Sequence, residues 1–387
     1  MANYDYEIVN GRKIRVRPKE TVSEIDKNGY FRRQPNHFTT PFGDGENDLK
    51  AEGNKRYRLV WAKLCHWSNR AAIVRELEGL EDQISVNMVE HAPYEKNLGW
   101  EYVYNENNID PVLGDQFLSE AYYRADDDYQ GRTTVPALID TTTGKVVNND
   151  YNWLTTYFEV NFRPWHKKGA PELYPVELRE EIDKMNLWLF DNINNAVYRS
   201  SFSRSNEGHF DGVNTFYAAM DRLEKQLETN RFLFGDYVTD SDIRLYVTLA
   251  RLDIRYTAQL GETKRPLYTY KNLWGYAKEL WEIPAFKNNT FFADFAVPPA
   301  DAKGRIEGEE DGFRASTHYD LALPKIDWDA QWKVSTERAY LSSDPTHPIY
   351  LGNNRRFDID PTWYDLGAES PKKEEKETPP SCGCCCG

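Results

Sequence analysis

Cysteine is almost absent from the body of this 387-residue chain. Of its five cysteines only Cys65 precedes the last six residues, which argues against a disulfide framework because such frameworks spread cysteines through the fold. No apolar run approaches the roughly 20 residues of a membrane-spanning helix, and residues 1–6 lack the basic and apolar regions of a signal peptide. These absences predict a soluble, cytoplasmic protein in a reducing compartment.

Positive charge is also scarce. Lys and Arg together number 48 against 62 for Asp and Glu, so the formal net charge is −14. A general nucleic-acid binder needs clustered cations for its phosphate contacts, and we therefore expect no nucleic-acid partner. Aromatic residues, by contrast, make up 14% of the chain, which does not suit a disordered protein. The length predicts two domains with extensions.

Residues 56–160 predict a small α/β domain. Residues 57–61 alternate as a strand, apolar residues between 71 and 80 recur at helical spacing before a stop at Gly79, and 84–89 predict a second strand. This is the length of one βαβ unit. Residues 134–139 and 145–149 then predict a hairpin, followed by a helix from about Asp150. The interval 90–130 is interpreted as a long acidic insertion.

The rest of the chain divides into a linker, a helical domain and arms. After a Pro- and Gly-rich linker at 161–175, residues 176–296 follow helical periodicity. The clearest local signal is at residues 238–243, where Thr239 and Asp242 predict a capping box and Val238 and Ile243 a hydrophobic staple. Residues 1–55 are interpreted as an extended N-terminal arm. Residues 297–368 predict an extended C-terminal arm packed on the body through its aromatics, and 369–387 a charged, Cys-rich disordered tail.

Cys65 is the main candidate for chemistry because it lies where a predicted strand meets a predicted helix. A thiol there faces unpaired backbone N–H groups and the positive end of the helix dipole, which favour the reactive thiolate. Ser68 occupies the place of a resolving thiol, so a one-thiol mechanism with an external thiol is expected. The alternative is a buried structural cysteine, and position alone leaves the two open.

The Val135-Pro136 step is the second candidate. It opens a predicted strand some 70 residues after the strand-end cysteine, where thioredoxin-like folds place a cis-proline. Such a bond exposes the backbone of the preceding residue to a peptide-like ligand, which pairs with it as a short extra strand would. Together with Cys65 and the β-α-β, β-β-α order, it predicts a thioredoxin-like domain.

At this point the chain resembles a known family, the xi-class glutathione transferases or glutathionyl-hydroquinone reductases, which are related to the omega class. The resemblance covers roughly residues 10–290. It is carried by Leu64-Cys65-His66-Trp67-Ser68-Asn69-Arg70, Gly99-Trp100-Glu101-Tyr102, Thr134-Val135-Pro136, Val147-Asn148-Asn149, Leu173-Tyr174-Pro175, Asn194-Asn195-Ala196-Val197-Tyr198, Arg251-Leu252-Asp253-Ile254-Arg255-Tyr256 and Tyr270-Lys271-Asn272-Leu273-Trp274-Gly275-Tyr276. It implies an α/β thioredoxin-like N-terminal domain, an all-α glutathione-transferase C-terminal domain and a homodimer.

The resemblance also implies an activity and a set of site residues. Members of the family remove glutathione from glutathionyl-hydroquinones, so Cys65 would attack the sulfur of the bound conjugate and a second glutathione would resolve the mixed disulfide. Tyr198 would donate or accept a proton near the thiol, and Tyr256 would help to hold the sulfur as a thiolate. The residues implied to hold glutathione are Trp100, Arg132, Thr133, Thr134, Val135, Asp150 and Tyr151.

Three departures from the family pattern leave alternatives open. His66 stands where the family has proline, and we expect it to face solvent; a protonated His66 would instead favour the thiolate. Asp150-Tyr151 replaces a Glu-Ser pair, so another low-molecular-weight thiol is an alternative cofactor. No tyrosine matches the last active-site tyrosine of the family near 291–297. A degenerate, non-catalytic binding or scaffold protein is therefore the competing hypothesis.

The C-terminal cysteines lie outside the resemblance. Clustered thiolates at 382–386 could bind soft metals such as Cu(I) or Zn, although adjacent cysteines suit a tetrahedral zinc site poorly. Lipid attachment and a flexible redox-sensitive tail are the other interpretations. We expect no metal in the catalytic site itself.

Overall fold

The computed structural model of this chain describes residues 4–17, 23–92, 96–257, 260, 265–295, 327–333, 338–343, 345 and 348–349. The predicted tail at 369–387 and most of the predicted C-terminal arm lie outside the described residues. The strands are β1 (Tyr6–Val9), β2 (Arg12–Arg15), β3 (Tyr57–Trp61), β4 (Ile84–Met88), β5 (Glu90–His91), β6 (Trp100–Glu101), β7 (Ala137–Asp140) and β8 (Lys145–Asn148). The α-helices are α1 (His66–Leu77), α2 (Leu118–Ala125), α3 (Leu154–Val160), α4 (Arg179–Leu189), α5 (Ala196–Phe202), α6 (Asn206–Gln226), α7 (Asp240–Arg251), α8 (Lys271–Trp281), α9 (Pro284–Asn288), α10 (Phe292–Phe295) and α11 (Trp328–Trp332).

The predicted strands form one four-stranded sheet in the order β4-β3-β7-β8. β3 pairs with β4 in parallel and with β7 antiparallel, and β7 pairs antiparallel with β8. The predicted stop of α1 is confirmed, because the helix ends at Leu77 and Gly79 has a φ of +71°, a conformation that glycine adopts without strain. The βαβ unit and the hairpin are therefore present as predicted.

Helices cover both faces of this sheet. Leu59 packs in the core that includes Ile73 of α1 and Phe158 of α3. Val60, which points to the opposite face, packs in a second cluster with Ala121 and Tyr122 of α2. Because both faces are buried, β3 is buried at every position. This helix–sheet–helix layering places Cys65 at the carboxyl end of a central strand.

The interpretation of residues 90–130 as an insertion was incomplete. This interval contains α2, which covers one face of the sheet, and the two-stranded pair β5–β6. Phe117, an apolar residue, stands at the N-cap of α2, while Glu120 accepts the N–H groups of Gln116 and Phe117 at 2.8 and 3.0 Å. The usual Ser, Thr, Asp or Asn signal before a helix is therefore absent from the sequence.

The N-terminal arm contains regular structure that the sequence reading missed. β1 and β2 form an antiparallel hairpin around Asn10 and Gly11, whose φ values are +50° and +78°. Positive φ at both turn positions is the reason that Asn-Gly favours tight hairpins. Ile14 of β2 is buried in a small cluster with Leu98 and Phe117. The arm thus contacts the loop region that follows β4.

The helical part begins with α4 and shares a core with the sheet. The capping box of α7 is confirmed, with Asp242 Oδ2 accepting the backbone N–H of Thr239 at 2.8 Å and its hydroxyl at 2.9 Å. Val238 and Ile243, the predicted staple, are fully buried. One continuous hydrophobic cluster runs from Leu59 of β3 into α8. The helices are therefore packed against the α/β part rather than merely tethered to it.

Two five-residue π-helical turns interrupt the helical part. They span Phe190–Asn194, directly before α5, and Leu252–Tyr256, directly after α7. A π turn shifts the side chains that follow it around the helix axis, and such turns frequently occur near functional sites. The two turns end at or next to the family motifs that carry Asn195 and Tyr256.

Two described segments, 327–333 and 338–343, contact the helical part. Trp332 is buried and its ring lies 5.0 Å from that of Trp274 and 5.0 Å from that of Phe292. Arg338 donates to the carbonyl oxygens of Leu227 and Asn230 at 2.9 and 2.7 Å. Among the described residues, no helix is both long and apolar enough to cross a membrane.

Candidate active site

Cys65 is the N-cap residue of α1, with an extended backbone (φ −83°, ψ 114°). Its Sγ lies 3.8 Å from the carbonyl oxygen of Val135. The Val135–Pro136 peptide bond is cis, as predicted. The thiol therefore faces the proline-led edge, where an extended peptide can pair with the exposed backbone.

The backbone around Cys65 is held by its own helix start. The Cys65 N–H donates to the Ala62 carbonyl and its carbonyl accepts the Asn69 N–H, both at 3.0 Å. Ser68 Oγ accepts the Ala62 N–H at 3.1 Å. Ser68, which stands where a dithiol motif would have its second cysteine, therefore stabilises the loop that leads to Cys65.

Trp100 reaches the site from the β5–β6 pair. Its ring stacks on the imidazole of His91 with centroids 3.7 Å apart, since the two residues are opposite one another in the pair. Gly99 has a φ of +83°, and a Cβ there would lie 2.8 Å from the Thr133 hydroxyl. The glycine therefore allows the Trp100 strand to approach the Thr133 segment closely.

The segment at 132–134 is held by α2 and by the N-terminal arm. The Tyr122 hydroxyl donates to the Thr134 carbonyl at 2.7 Å and accepts the Thr134 N–H at 3.2 Å. The Arg132 N–H donates to Gln34 Oε1 at 3.0 Å, and its guanidinium pairs with Glu24 at 2.7 Å. Sequence reasoning missed Tyr122, Gln34 and Glu24, because none of them lies near the predicted motifs in the chain.

Asp150 and Tyr151 also lie beside the arm. The Asp150 carboxylate is buried and accepts from the amide of Asn36 at 2.9 Å. The Tyr151 ring lies 4.8 Å from the ring of Trp67 on α1, and the guanidinium of Arg70 donates to the Tyr151 carbonyl. The bulk that Tyr151 adds at this position is thus packed against α1.

Tyr198 and Tyr256 come together from the helical part. Tyr198 packs against the cluster that contains Cys65, and its ring lies 6.4 Å from that of Tyr256. Burial raises the pKa of Tyr198, and the negative charge at Cys65 raises it further. Burial raises the pKa of Tyr256 well above its ordinary value. Both phenols therefore stay protonated and able to donate at neutral pH.

The expectation that His66 faces solvent was wrong. As the first residue of α1, it points into the contact with the helical part and is fully buried. Its Nδ1 lies 3.1 Å from the Thr248 hydroxyl and 3.1 Å from the Tyr256 hydroxyl. Burial lowers the pKa of His66 well below its ordinary value, and the nearby Arg251 cation lowers it further. The lowered pKa disfavours the protonated imidazole and so argues against the alternative in which His66 supplies a positive charge to Cys65.

The described residues bring most of the predicted site together. Cys65, Trp100 and Val135 belong to one buried cluster, against which Tyr151 and Tyr198 pack. Within this described part of the chain, no group of three or more His, Cys, Asp or Glu side chains is placed to hold a metal ion.

Comparison with known proteins identifies the family to which the chain belongs. The family model for the glutathione S-transferase C-terminal domain matches residues 197–279. Glutathione S-transferase omega-like 2 of Schizosaccharomyces pombe is 34% identical over 277 residues, which are 69% of this chain and 87% of the relative. The structure of glutathione S-transferase xi from Phanerochaete chrysosporium, 31% identical, superposes with a TM-score of 0.64 over 76% of this chain and 95% of that one. This chain belongs to the xi class of the glutathione transferases.

A further relative has both a named activity and a structure with glutathione bound. Glutathionyl-hydroquinone reductase YqjG of Escherichia coli is 32% identical over 237 residues, which are 61% of this chain and 72% of the relative. The glutathione-bound structure of YqjG is 28% identical and superposes with a TM-score of 0.61, covering 76% of this chain and 92% of that one.

Arg251 is a site residue of this xi-class chain that sequence reasoning did not single out. It lies at the end of α7 and is fully buried. Its guanidinium donates to the carbonyl oxygens of Lys63 and Leu64 at 2.7 and 2.9 Å and to the Asn69 side chain at 3.1 Å. Arg251 therefore fixes the loop before Cys65 from the helical part. The motif at 251–256 carried this signal, but only its tyrosine was assigned a role.

Proposed function

We propose that this xi-class transferase is a glutathione-dependent thiol reductase that removes the glutathionyl group from hydroquinone-like aromatic conjugates through a mixed disulfide at Cys65. The named activity of YqjG and its glutathione-bound structure support this choice of substrate and cofactor. The observation that carries the proposal is the Cys65 Sγ, 3.8 Å from the Val135 carbonyl at the cis-proline edge. That edge is where the peptide backbone of glutathione would align its sulfur with the thiol.

The reaction needs one thiolate and one proton donor. The Cys65 thiolate attacks the conjugate's sulfur, forming an S–S bond while the bond from sulfur to the ring carbon breaks. The electron pair of that bond stays with the ring carbon, which takes a proton from Tyr198, and the hydroquinone leaves. A second glutathione thiolate then attacks the mixed disulfide, releasing glutathione disulfide and the Cys65 thiolate.

Glutathione would lie across segments that neighbouring side chains hold in place. Trp100 is backed by His91, and residues 132–134 are fixed by Tyr122. Val135 would pair with the peptide backbone, while Arg132 and the Asp150-Tyr151 pair would face the charged ends of glutathione. Asp150 and Arg132 both bond to the N-terminal arm in the structure, so glutathione would have to share or displace these contacts.

Cys65→Ala tests the proposal directly. We expect the variant to lose turnover of a chloranil-derived glutathionyl conjugate completely, because no other group in the mechanism can form the mixed disulfide. Peptide mapping after incubation with oxidised glutathione should place the adduct of the native protein on Cys65, separately from any adduct on the four C-terminal cysteines. Full turnover by Cys65→Ala would contradict the proposal.

A second function is favoured by a specific observation. The bonds from Glu24 to Arg132 and from Asn36 to Asp150 tie two of the expected glutathione contacts to the arm. A non-catalytic binding or scaffold protein would keep such contacts permanently. It predicts no glutathione adduct on Cys65 in the same mapping experiment, and the active reductase predicts one.

We also infer the organisation and setting of the protein. We propose a thioredoxin-like domain at 56–160 and a helical domain at 176–296, assembled as a cytoplasmic homodimer that binds no nucleic acid. A lone reactive thiol is best preserved in a reducing compartment, and a net charge of −14 disfavours phosphate polymers. Light scattering of the purified protein tests the dimer.

A further inference from the structure

Arg33 belongs to the N-terminal arm, yet its guanidinium lies within the site. The central carbon of the guanidinium is 4.5 Å from the ring centroid of Tyr198 and 4.6 Å from that of Trp67. Its Nε donates to the side-chain oxygen of Asn195 at 2.9 Å. The arm thereby delivers a cation between α1, which follows the thiol, and α5, which carries the proposed proton donor.

One end of this guanidinium is not satisfied. Its Nη2 is buried and has no hydrogen-bond acceptor among the described residues. Arg33 takes part in none of the ion pairs within that described part of the chain; its nearest companions are aromatic rings and the neutral Asn195 amide. Burial accordingly lowers the pKa of Arg33. A partly buried cation whose buried N–H has no acceptor is costly unless an anion completes it, so this group is suited to an anionic ligand.

We propose that Arg33 is a specificity-determining residue whose Nη2 binds the ionised phenol oxygen of the aromatic group in the substrate. This inference rests on the proposed function and extends it to the recognition of the leaving group. A charge-assisted hydrogen bond from guanidinium to phenolate is stronger than one between neutral groups. Phenols made more acidic by electron-withdrawing substituents are therefore the preferred substrates.

The position of Arg33 indicates that it binds the aromatic group of the conjugate and not the glutathione part. The peptide of glutathione would pair along the edge at Val135, and its charged ends would face Arg132 and Asp150. Arg33 instead holds Asn195 and lies over Tyr198, both at the start of α5. The ring of the conjugate must reach Tyr198 to receive its proton, which brings the ring oxygens toward the Arg33 guanidinium. Arg33 takes no part in the proton transfer.

The experiment compares Arg33→Gln and Arg33→Lys with Arg32→Gln. Arg32 is the neighbouring arm residue, its side chain is 65% exposed, and it forms an ion pair with Asp26 and lies over the ring of Tyr30. The two substrates are the glutathionyl conjugates derived from chloranil, whose ring phenols are acidic, and from unsubstituted benzoquinone. We expect Arg33→Gln to lower kcat/KM about 30-fold for the chlorinated conjugate and about 3-fold or less for the unsubstituted one, the difference being one charge-assisted bond.

The conservative variant and the control complete this comparison. Arg33→Lys keeps the charge without the planar fork, so its loss should be intermediate. Arg32→Gln should match the native protein with both conjugates. Equal losses of Arg33→Gln on the two conjugates would overturn the proposal. Circular dichroism and thermal unfolding establish that the variants are folded.

A separate measurement distinguishes the aromatic group from glutathione. Reduction of the Cys65–glutathione mixed disulfide by glutathione involves no aromatic group, so Arg33→Gln should leave its rate within about twofold of the native one. If this step falls as much as conjugate reduction, Arg33 binds a carboxylate of glutathione and the proposal is wrong.

Direct binding separates failure of this inference from failure of the proposed function. The chlorinated hydroquinone itself is titrated against the native protein and Arg33→Gln, with tryptophan fluorescence as the readout because Trp67 contacts the guanidinium. We expect binding at least 10-fold weaker in Arg33→Gln at a pH where the phenol is ionised. If conjugate turnover is absent but this difference persists, only the proposed function fails. Equal binding by both proteins contradicts the role of Arg33.

Discussion

At the scale of single residues, the two tyrosines of the site have different surroundings. The Tyr256 hydroxyl contacts the Nδ1 of His66 at 3.1 Å, whereas Tyr198 packs against the cluster that contains Cys65 and lies under the Arg33 guanidinium. A hydroxyl already hydrogen-bonded to a neutral imidazole is constrained in direction. We therefore propose Tyr198, rather than Tyr256, as the proton donor for the departing ring.

Tyr198→Phe should lower conjugate reduction by about 10²- to 10⁴-fold, the usual range for loss of a general acid. Formation of the Cys65–glutathione adduct from oxidised glutathione should change much less, since no ring carbon needs a proton in that step. Tyr268→Phe, which removes a hydroxyl from an exposed side chain, is the matched control. Equal effects on both reactions would show that Tyr198 acts on the Cys65 thiol and does not donate the proton to the leaving ring.

The pH profile gives an independent check on this donor. Because burial and the Cys65 charge raise the pKa of Tyr198, the phenol keeps its proton throughout the neutral and mildly alkaline range. We therefore expect the difference in kcat/KM between the native protein and Tyr198→Phe to show no decline up to about pH 10, the ordinary pKa of tyrosine. A decline of this difference at a lower pH would show that another group donates the proton.

At the scale of secondary-structure elements, α3 and α7 meet through a buried polar contact. Asp240, the first residue of α7, accepts from Thr155 of α3 at 3.1 Å and from Arg244 at 2.6 Å. Glu159, one turn after Thr155, is also buried, and its carboxyl oxygens lack hydrogen-bond partners among the described residues. Burial raises the pKa of Glu159 well above its ordinary value, and the charge of Asp240 raises it further.

Glu159→Gln tests this contact through its pH dependence. Because the pKa of Glu159 is higher in the folded than in the unfolded chain, the native protein loses stability as pH rises from about 4.5, the ordinary carboxyl pKa, toward the folded value. The neutral amide avoids this loss. We expect the free energy of unfolding at pH 7 to rise by about 1–3 kcal/mol in the variant, and both proteins to be equally stable near pH 4.

Urea unfolding at the two pH values measures this difference. Glu177→Gln, which changes an exposed carboxylate, is the control and should alter stability by less than about 0.5 kcal/mol at either pH. A Glu159→Gln variant that is less stable than the native protein at pH 7 would contradict the protonated state of Glu159.

At the scale of the whole molecule, the loop before Cys65 depends on the contact between the sheet and the helices. Arg251 of α7 donates to two carbonyl groups before Cys65 and to Asn69 after it. His66 reaches in the opposite direction to Thr248 of α7. The thioredoxin-like part alone would lack these bonds, so the geometry of the thiol is a property of both parts together.

Arg251→Lys should reduce turnover while the protein remains folded. Lysine has a single ammonium group and cannot reproduce the fork that holds both carbonyls and the Asn69 amide. We expect kcat to fall by about 10- to 100-fold, since a loosened support misplaces the thiol, and alkylation of Cys65 by iodoacetamide to change as well. Arg265→Lys, at an exposed ion pair with Asp221, is the control. Unchanged kcat and alkylation in Arg251→Lys would rule out this positioning role.

Much of the fold was predictable because its signals are local. The buried strands, the stop at Gly79 and the capping box of Thr239 and Asp242 each depend on residues within one turn or one strand. α2 was missed because its N-cap is Phe117, an apolar residue, and its burial depends on the distant sheet. The hairpin around Asn10 did carry a local turn signal, which the sequence reading overlooked.

The candidate site likewise has features that local sequence signals predict and features that depend on distant residues. The pairing of Cys65 with Val135-Pro136 followed from strand order, because both lie at ends of neighbouring strands of one sheet. His66 was misjudged because the burial of a first-turn residue depends on α7, whose Thr248 is 182 residues away in the chain. Arg33 was missed for the same reason, since an arm without periodicity gives no indication of where it crosses the surface.

The sequence by itself determined the family, the layered α/β domain and the position of Cys65 beside its cis-proline, because motif residues and hydrophobic periodicity encode these locally. Only the tertiary structure decided that His66 is buried with a lowered pKa, that Arg251 holds the loop before Cys65 and that Arg33 places a partly buried cation over Tyr198. Charge state and hydrogen bonding depend on which distant groups share a buried space, and folding alone assembles that space.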